Sequence, residues 1–374
     1  MQTTAAVLRT MGAPRPYADS RPLSIETVTL DAPGHGEVLV AVKAAGLCHS
    51  DLSVINGDRP RPLPMALGHE AAGVVEALGD GVTDLAVGDH VVMVFMPSCG
   101  HCNPCAEGRP ALCEPGAAAN GKGELLTGGR RIHDAAGDLN HHLGCSAFAG
   151  HAVVSRRSLV KVDVDLPFEH AALFGCAVLT GVGAVVNTAG VRAGQSVAVI
   201  GLGGVGLSSV LGALAAGASP VVAVDLSEDK LALARTLGPV RTVNAGDADA
   251  VEQVRALTGG GADFVFEMAG SVRALDAAWR MTRRGGTTVT AGLPPPEAAL
   301  AVNVVSLVAE ERTLKGSYIG TCVPSRDIPR YVALFRQGRL PVDRLLTGVI
   351  ALSDINAAFD RLADGRAVRT VVRF

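Results

Sequence analysis

Two long stretches of this chain carry no charged side chain, Ala171–Val191 and Ala193–Val224. By length alone, each could cross a bilayer. The second is broken by Gly201, Gly203, Gly204, Gly206, Gly212, Gly217 and Pro220. That many breakers exclude one continuous helix and predict a buried strand, a turn, a helix and a second strand. The first strand is Ser196–Ile200, and the second, VVAVD, ends at Asp225. Further apolar runs follow at DFVFE (Asp263–Glu267), TTVTAG (Thr287–Gly292) and TLKGSY (Thr313–Tyr318). Strands alternating with helical segments predict a doubly wound parallel sheet. Residues 1–178 are instead rich in strands and turns, and the chain closes on a strand-like RTVVRF. The polar, glycine-rich segment Gly116–Asn140 predicts a long surface loop, and Pro294–Pro296 a stiff turn after a strand.

Composition sharpens this division. A chain of 374 residues, 48% hydrophobic, can bury large cores and favours two domains over one. The expected boundaries are 1–178 and 179–319, with 320–374 returning to the first domain. Gly is abundant at 45 residues and aromatics are scarce at 3%, which suits the tight turns and aliphatic packing of an α/β protein. The net charge of −3 is scattered, with no basic tract for nucleic acid and no acidic tail. The opening MQTTAAVLRT lacks the apolar core of a signal peptide. A cytoplasmic chain with no membrane segment is therefore expected, and its thiols should stay reduced.

Four of the eight cysteines fall within fifteen residues, as Cys99-x2-Cys102-x2-Cys105-x7-Cys113. Four thiolates at such spacing satisfy a tetrahedral zinc ion and leave no open corner. Gly100, Pro104 and Gly108 supply the bends, and His101 is expected to face solvent. A closed site of this kind stabilises a lobe and leaves no room for substrate. Catalytic zinc needs an open position, and the candidates outside the cluster are Cys48 in GLCHSD, His69 in GHE and Cys176 in GCAVLTG. Each lies near a glycine, and only a fold could bring them together. Taken singly, Cys48 and Cys176 are more often buried apolar thiols.

The turn Gly201-x-Gly203-x-x-Gly206, set between a strand and a helix and followed about twenty residues later by Asp225, is a dinucleotide fingerprint in its required context. Helix N-terminal amides would hold the pyrophosphate. Asp225 would accept hydrogen bonds from ribose hydroxyls and repel a 2′-phosphate, which favours NAD over NADP.

GLCHSD, GHEAAGVVEALG, the four-cysteine loop, GLGGVG and the closing AVRTVVRF occur in an order and spacing that resemble a zinc-dependent, medium-chain alcohol dehydrogenase of the long-loop type. The likeness runs over essentially the whole chain. It implies a GroES-like, mainly β catalytic domain joined to a Rossmann domain. It also implies two zinc ions per subunit and a homodimer or homotetramer. Cys48, His69 and Cys176 match the catalytic zinc ligands, Cys99, Cys102, Cys105 and Cys113 the structural ones. Glu70 matches a carboxylate near the metal, Asp51 one that orients the ligand histidine, and Ser50 the hydroxyl that bonds the substrate oxygen. The resemblance assigns the cofactor to His49, Thr180, Gly201, Gly203, Gly204, Val205, Gly206, Asp225, Lys230, Leu293 and Arg369. It lines the substrate pocket with Ser50, Phe95, Leu112, His142 and Leu293. Cys145 and Cys322 remain unassigned.

The expected activity is hydride transfer between NAD and an alcohol, giving an aldehyde or ketone. A primary alcohol with an apolar or aromatic tail is favoured, because Ser50 is small. Two positions depart from the family pattern. Ser53 stands where many members have a proton-accepting histidine, and a hydroxyl is no base at neutral pH. The stretch after Cys113, EPGAAAN, lacks the arginine of members that oxidise glutathione–formaldehyde adducts. Three alternatives keep the fold: a nicotinoprotein or dismutase holding NAD permanently, a dehydrogenase acting on another thiol adduct, and a non-redox zinc lyase. A homologue without catalysis is disfavoured by the intact ligand set.

Overall fold

The computed structural model describes all 374 residues, which divide into two compact units. One comprises Met1–Cys176, Val323–Pro329 and Leu346–Phe374; the other comprises Ala177–Cys322 and Arg330–Leu345. The return to the first unit is thus interrupted, unlike the single return expected from residue 320. Tyr331, Val332, Leu340, Val342 and Leu345 are buried, so this stretch has an apolar side to cover.

The first unit is built of strands. Gln2–Leu8, Leu23–Leu30, Ile132–Asp134, Gly137–His141 and Met65–Ala66 close into a barrel. Ala5, Val7, Val28, Leu30, Leu125, Ile132 and Leu139 fill it. Beside it runs a sheet in the order Leu159–Val162, His90–Met93, Glu70–Leu78, Glu37–Gly46, Arg369–Arg373 and Leu346–Ile350. Register sets Gly46 opposite both Glu70 and Val371. The chain leaves this sheet end into the helix His49–Ile55, and Leu47 N–H donates to Thr370 O at 2.9 Å. Residues distant in sequence therefore meet at one end of one sheet.

The second unit holds a parallel sheet in the order Val240–Asn244, Val221–Asp225, Val197–Ile200, Ala262–Glu267, Thr282–Thr290 and Thr313–Gly316. Its central strands are almost wholly apolar, as strands covered on both faces must be. Strand order reverses beside Val197–Ile200, and such switch points form the crevices where open α/β sheets bind ligands. The strands fall close to their sequence expectations, with Thr282–Thr290 beginning five residues earlier than TTVTAG.

Gly116–Asn140 is not a long loop. It contains most of the helix Glu114–Lys122 and the antiparallel pair Ile132–Asp134 and Gly137–His141. The helix was hidden because its buried positions are Gly116 and Asn120, neither of them apolar. Gly116 lies so close to the chain that an added Cβ would sit 2.1 Å from Pro97 O. Asn120 Nδ2 donates to Phe95 O at 2.9 Å. The uncharged run Ala171–Val191 is divided between short helices, and no helix of the structure is long and apolar enough to cross a membrane.

Candidate active site

Three glycines explain how three zinc-type donors converge. A Cβ on Gly46 would lie 2.6 Å from Glu70 Oε1, and one on Gly175 would lie 2.2 Å from Met93 O. Gly68 has φ +93°, and a Cβ there would lie 2.4 Å from Phe148 N. Only glycine allows backbone to approach this closely, and each glycine stands within two residues of a donor. Cys48, His69 and Cys176 are all buried, with donor atoms within 4.8 Å of one another. His69 Nε2 is buried with no hydrogen-bond partner. The Cys176 thiol holds Cys48 well below the usual thiol range, and Cys48 in turn pushes Cys176 up. Two thiols and an unpaired imidazole nitrogen fit a zinc ion with one corner free for substrate.

Behind His69 lies Asp51, which has no solvent exposure. Its Oδ1 is 3.1 Å from His69 Nδ1 and accepts Gly68 N–H at 3.2 Å; its Oδ2 accepts Cys48 N–H at 3.3 Å. Burial alone would raise this carboxyl, but His69 and His142 outweigh burial and hold it well below the usual range. An acceptor at Nδ1 fixes the His69 tautomer, leaving the Nε2 lone pair for a metal. His142 Nδ1 is also 3.1 Å from Asp51 Oδ1, at an angle poor for a hydrogen bond. Nothing in the local sequence of either residue signals this pairing.

Glu70 and Arg369 form a second buried pair. The guanidinium contacts Glu70 Oε2 and donates to Leu47 O at 3.2 Å, while Glu70 Oε1 has no hydrogen-bond partner. Burial raises the Glu70 carboxyl against the pull of Arg369, whose own pKa is raised by Glu70. Arg369 is 4% exposed.

Phe95 meets the His69 ring edge-on, with centroids 5.3 Å apart. Ser50 is half-buried in the first turn of the helix His49–Ile55, and His49 is exposed. The Ser53 hydroxyl lies within reach of His49 O and Ser50 O, back-bonding to its own helix. Leu112 is 40% exposed within the cysteine lobe, and Leu293 is 54% exposed in the second unit.

The sulfurs of Cys99, Cys102, Cys105 and Cys113 also lie within 4.8 Å of one another. Cys99 Sγ accepts the His101 and Cys102 N–H groups, and Cys113 Sγ those of Cys99 and Gly116. The His101 amide pushes the Cys99 thiol down to about 6. Amides aimed at sulfur favour thiolates, the form a zinc ion needs. His101 is exposed, as expected.

In the second unit, Gly201 has φ +87°, and a Cβ on Gly206 would lie 1.7 Å from Gly201 O. Around Gly203 no atom lies within 4 Å of such a Cβ. Gly204 and Val205 open the helix Gly204–Ala215. Asp225 ends its strand, accepting Leu202 N–H at 2.6 Å and Ser227 N–H at 2.9 Å. Lys230 is half-buried in the helix Glu228–Thr236, and Thr180 is buried in the helix Ala177–Gly183.

Residues 34–164 match the alcohol dehydrogenase GroES-like domain family, and residues 204–337 match the zinc-binding dehydrogenase family. The chain is 41% identical over 377 aligned positions to a Mycobacterium tuberculosis protein named "Putative alcohol dehydrogenase D", covering 100% of both chains. It is 33% identical to the benzyl alcohol dehydrogenase of Acinetobacter calcoaceticus, with a TM-score of 0.93 over 100% of this chain and 99% of that one. It is 27% identical to a "putative zinc-binding dehydrogenase" of Sinorhizobium meliloti 1021 solved with NADP, with a TM-score of 0.81 over 100% of each chain. With two thiols and an imidazole already converging at the end of its first sheet, the chain belongs to the zinc-binding alcohol dehydrogenases of the medium-chain dehydrogenase/reductase family.

Proposed function

We propose that the protein is a zinc-dependent alcohol dehydrogenase that uses NAD and acts on primary alcohols with an apolar or aromatic tail. The observation carrying this reading is the buried, unpaired His69 Nε2 facing the thiols of Cys48 and Cys176. When bound, zinc supplies a Lewis acid that lowers the pKa of an alcohol, and NAD accepts its hydride. Cys48, His69 and Cys176 hold the metal, and Asp51 keeps His69 in the liganding tautomer. The Ser50 hydroxyl receives the proton at the substrate oxygen. Ser53 does not extend this path, since its single hydroxyl proton is directed at carbonyls of its own helix. Water completes the exit.

Phe95 beside His69 supports an apolar pocket. The benzyl alcohol activity named for the Acinetobacter relative agrees with this preference. Gly201, Gly203, Gly204, Val205 and Gly206 would cradle the pyrophosphate, with Thr180 and Lys230 as further cofactor contacts in the second unit. Asp225 would take the ribose and disfavour the extra phosphate of NADP. Cys99, Cys102, Cys105 and Cys113 would hold a second, structural zinc.

The test is NADH formation by zinc-loaded protein with a panel of alcohols from ethanol to benzyl and terpenoid alcohols. A rise with the aromatic members supports the reading, and Ser50→Ala should cut that rate hard while cofactor binding persists. Absence of any rise with NAD or NADP would overturn the coupled dehydrogenase.

A further inference from the structure

The turn after the barrel strand Gly137–His141 is an unusual piece of backbone. Leu143, Gly144 and Ser146 all take positive φ, at 50°, 66° and 50°. Two of these are not glycine, and such conformations persist only where surroundings over-determine them. Here the turn is tied to the segment carrying His69. Ser146 Oγ donates to Ala66 O at 2.8 Å, Ala147 N–H to Gly68 O at 2.9 Å, and Phe148 N–H to Leu67 O at 3.0 Å. Ser146 Oγ also accepts the His142 N–H at 3.0 Å. The His142 backbone is thus fixed relative to His69 from several sides.

The side chain completes the picture. His142 is 1% exposed, and its ring meets His69 edge-on with centroids 5.5 Å apart. Its Nδ1 reaches the same Asp51 oxygen as His69 Nδ1, both at 3.1 Å. Asp51 Oδ1 therefore faces two imidazole nitrogens at the same distance. A carboxylate held by His69, Gly68 N–H and Cys48 N–H, with the His142 ring packed against the same oxygen, has no room to rotate.

We propose that His142 is a positioning residue: it locks Asp51, and through Asp51 the ring of His69, so that Nε2 is presented to the zinc position between Cys48 and Cys176. This rests on the reading of those three residues as a metal site. It moves His142 from lining a substrate pocket to orienting a metal ligand. Partners one step removed from a metal typically change its affinity by about 10- to 100-fold.

Cobalt(II) substitution tests this without relying on turnover. The reading itself requires a thiolate-to-cobalt absorption that Cys48→Ser removes; if the parent shows no Cys48-dependent band, the metal-site reading fails before His142 is at issue. Given that band, His142→Phe keeps the ring volume and removes the nitrogen. It should lose this cobalt to a chelator about tenfold faster or more, with shifted d–d bands. His142→Asn, whose amide nitrogen can stand in for Nδ1, should recover both properties in large part. Asp51→Asn should reproduce the His142→Phe loss, and the double variant should lose little more, because both act through one contact. His142→Phe with parent retention and parent bands would overturn the proposal. So would His142→Asn resembling His142→Phe, or fully additive losses in the double variant. Should His142→Phe fail to fold, His142→Asn and Asp51→Asn carry the same comparison.

Discussion

The Glu70–Arg369 pair is the most exposed to error of any single contact in the site, because neither charge can reach water. Glu70 is fully buried, and Arg369 retains 4% exposure. Removing one partner from such a pair typically costs about 3–5 kcal/mol, since the other charge is left uncompensated. Arg369→Met should therefore lower the unfolding free energy, read from urea denaturation, by an amount of this order. A value equal to the parent's would mean that Glu70 is neutral and that no ion pair exists. The residue types at the site were readable in sequence, as thiols, an imidazole and carboxylates. Their pairings were not: Asp51 with His142 and Glu70 with Arg369 join positions on different elements, with no local pattern to mark them.

At the level of elements, the glycine-rich turn separates two roles that look identical in GLGGVG. A Cβ on Gly206 would collide with Gly201 O at 1.7 Å, whereas one on Gly203 would meet nothing within 4 Å. Gly206→Ala should therefore lower the melting temperature. Gly203→Ala should melt like the parent but weaken NADH binding by roughly tenfold, about 1.4 kcal/mol, because its methyl enters the space a pyrophosphate would occupy. Fluorescence titration and thermal unfolding check the two together; equal melting of both variants would sink the distinction. The turn was legible because strand, turn, helix and acid lie consecutively. The helix Glu114–Lys122 was not, since it buries a glycine and an asparagine where a periodic apolar stripe would be sought.

Two expectations concern the molecule as a whole. His141 ends a barrel strand and is completely buried, its Nε2 accepting the Arg131 N–H at 3.1 Å. Burial, aided by the charges of Arg131 and Arg130 and by His133, pushes its pKa from 6.5 down to about 3. The fold therefore prefers neutral imidazole. This contribution is intact above 6.5 and is lost as the pH falls toward 3, because the unfolded chain takes the proton first. From pH 7 to pH 5 the loss is about 2 kcal/mol. His141→Gln, which keeps an acceptor, should flatten this part of the stability profile in urea unfolding at stepped pH; an unchanged slope would place the acid sensitivity elsewhere. The second expectation is self-association. The helix Val304–Ala309 exposes Val304, Val305 and Val308 at 69%, 73% and 70%, and the adjacent edge strand Thr313–Gly316 is exposed throughout. An unpaired edge beside exposed valines suits a second copy related by a two-fold axis. Val305→Lys together with Val308→Lys should shift light-scattering mass toward the monomer, and an unaltered mass would exclude this face.

The four-cysteine lobe and the dinucleotide turn were determined by the sequence itself, because each is local. Their donors and bends lie within one loop or one strand–turn–helix, and short-range geometry leaves the chain few other uses for them. The alternation of apolar strands with helical segments likewise announced the parallel sheet. Cys48, His69 and Cys176 could be named from type and resemblance, but their meeting was decided by register, with Gly46 opposite Glu70, and by close backbone approach at Gly68 and Gly175. The sharing of Asp51 between His69 and His142, the burial of Arg369 against Glu70 and the assignment of Arg330–Leu345 to the second unit belong to tertiary structure alone. Such contacts join residues far apart in the chain, and their free energy exists only once whole sheets and turns have formed around them.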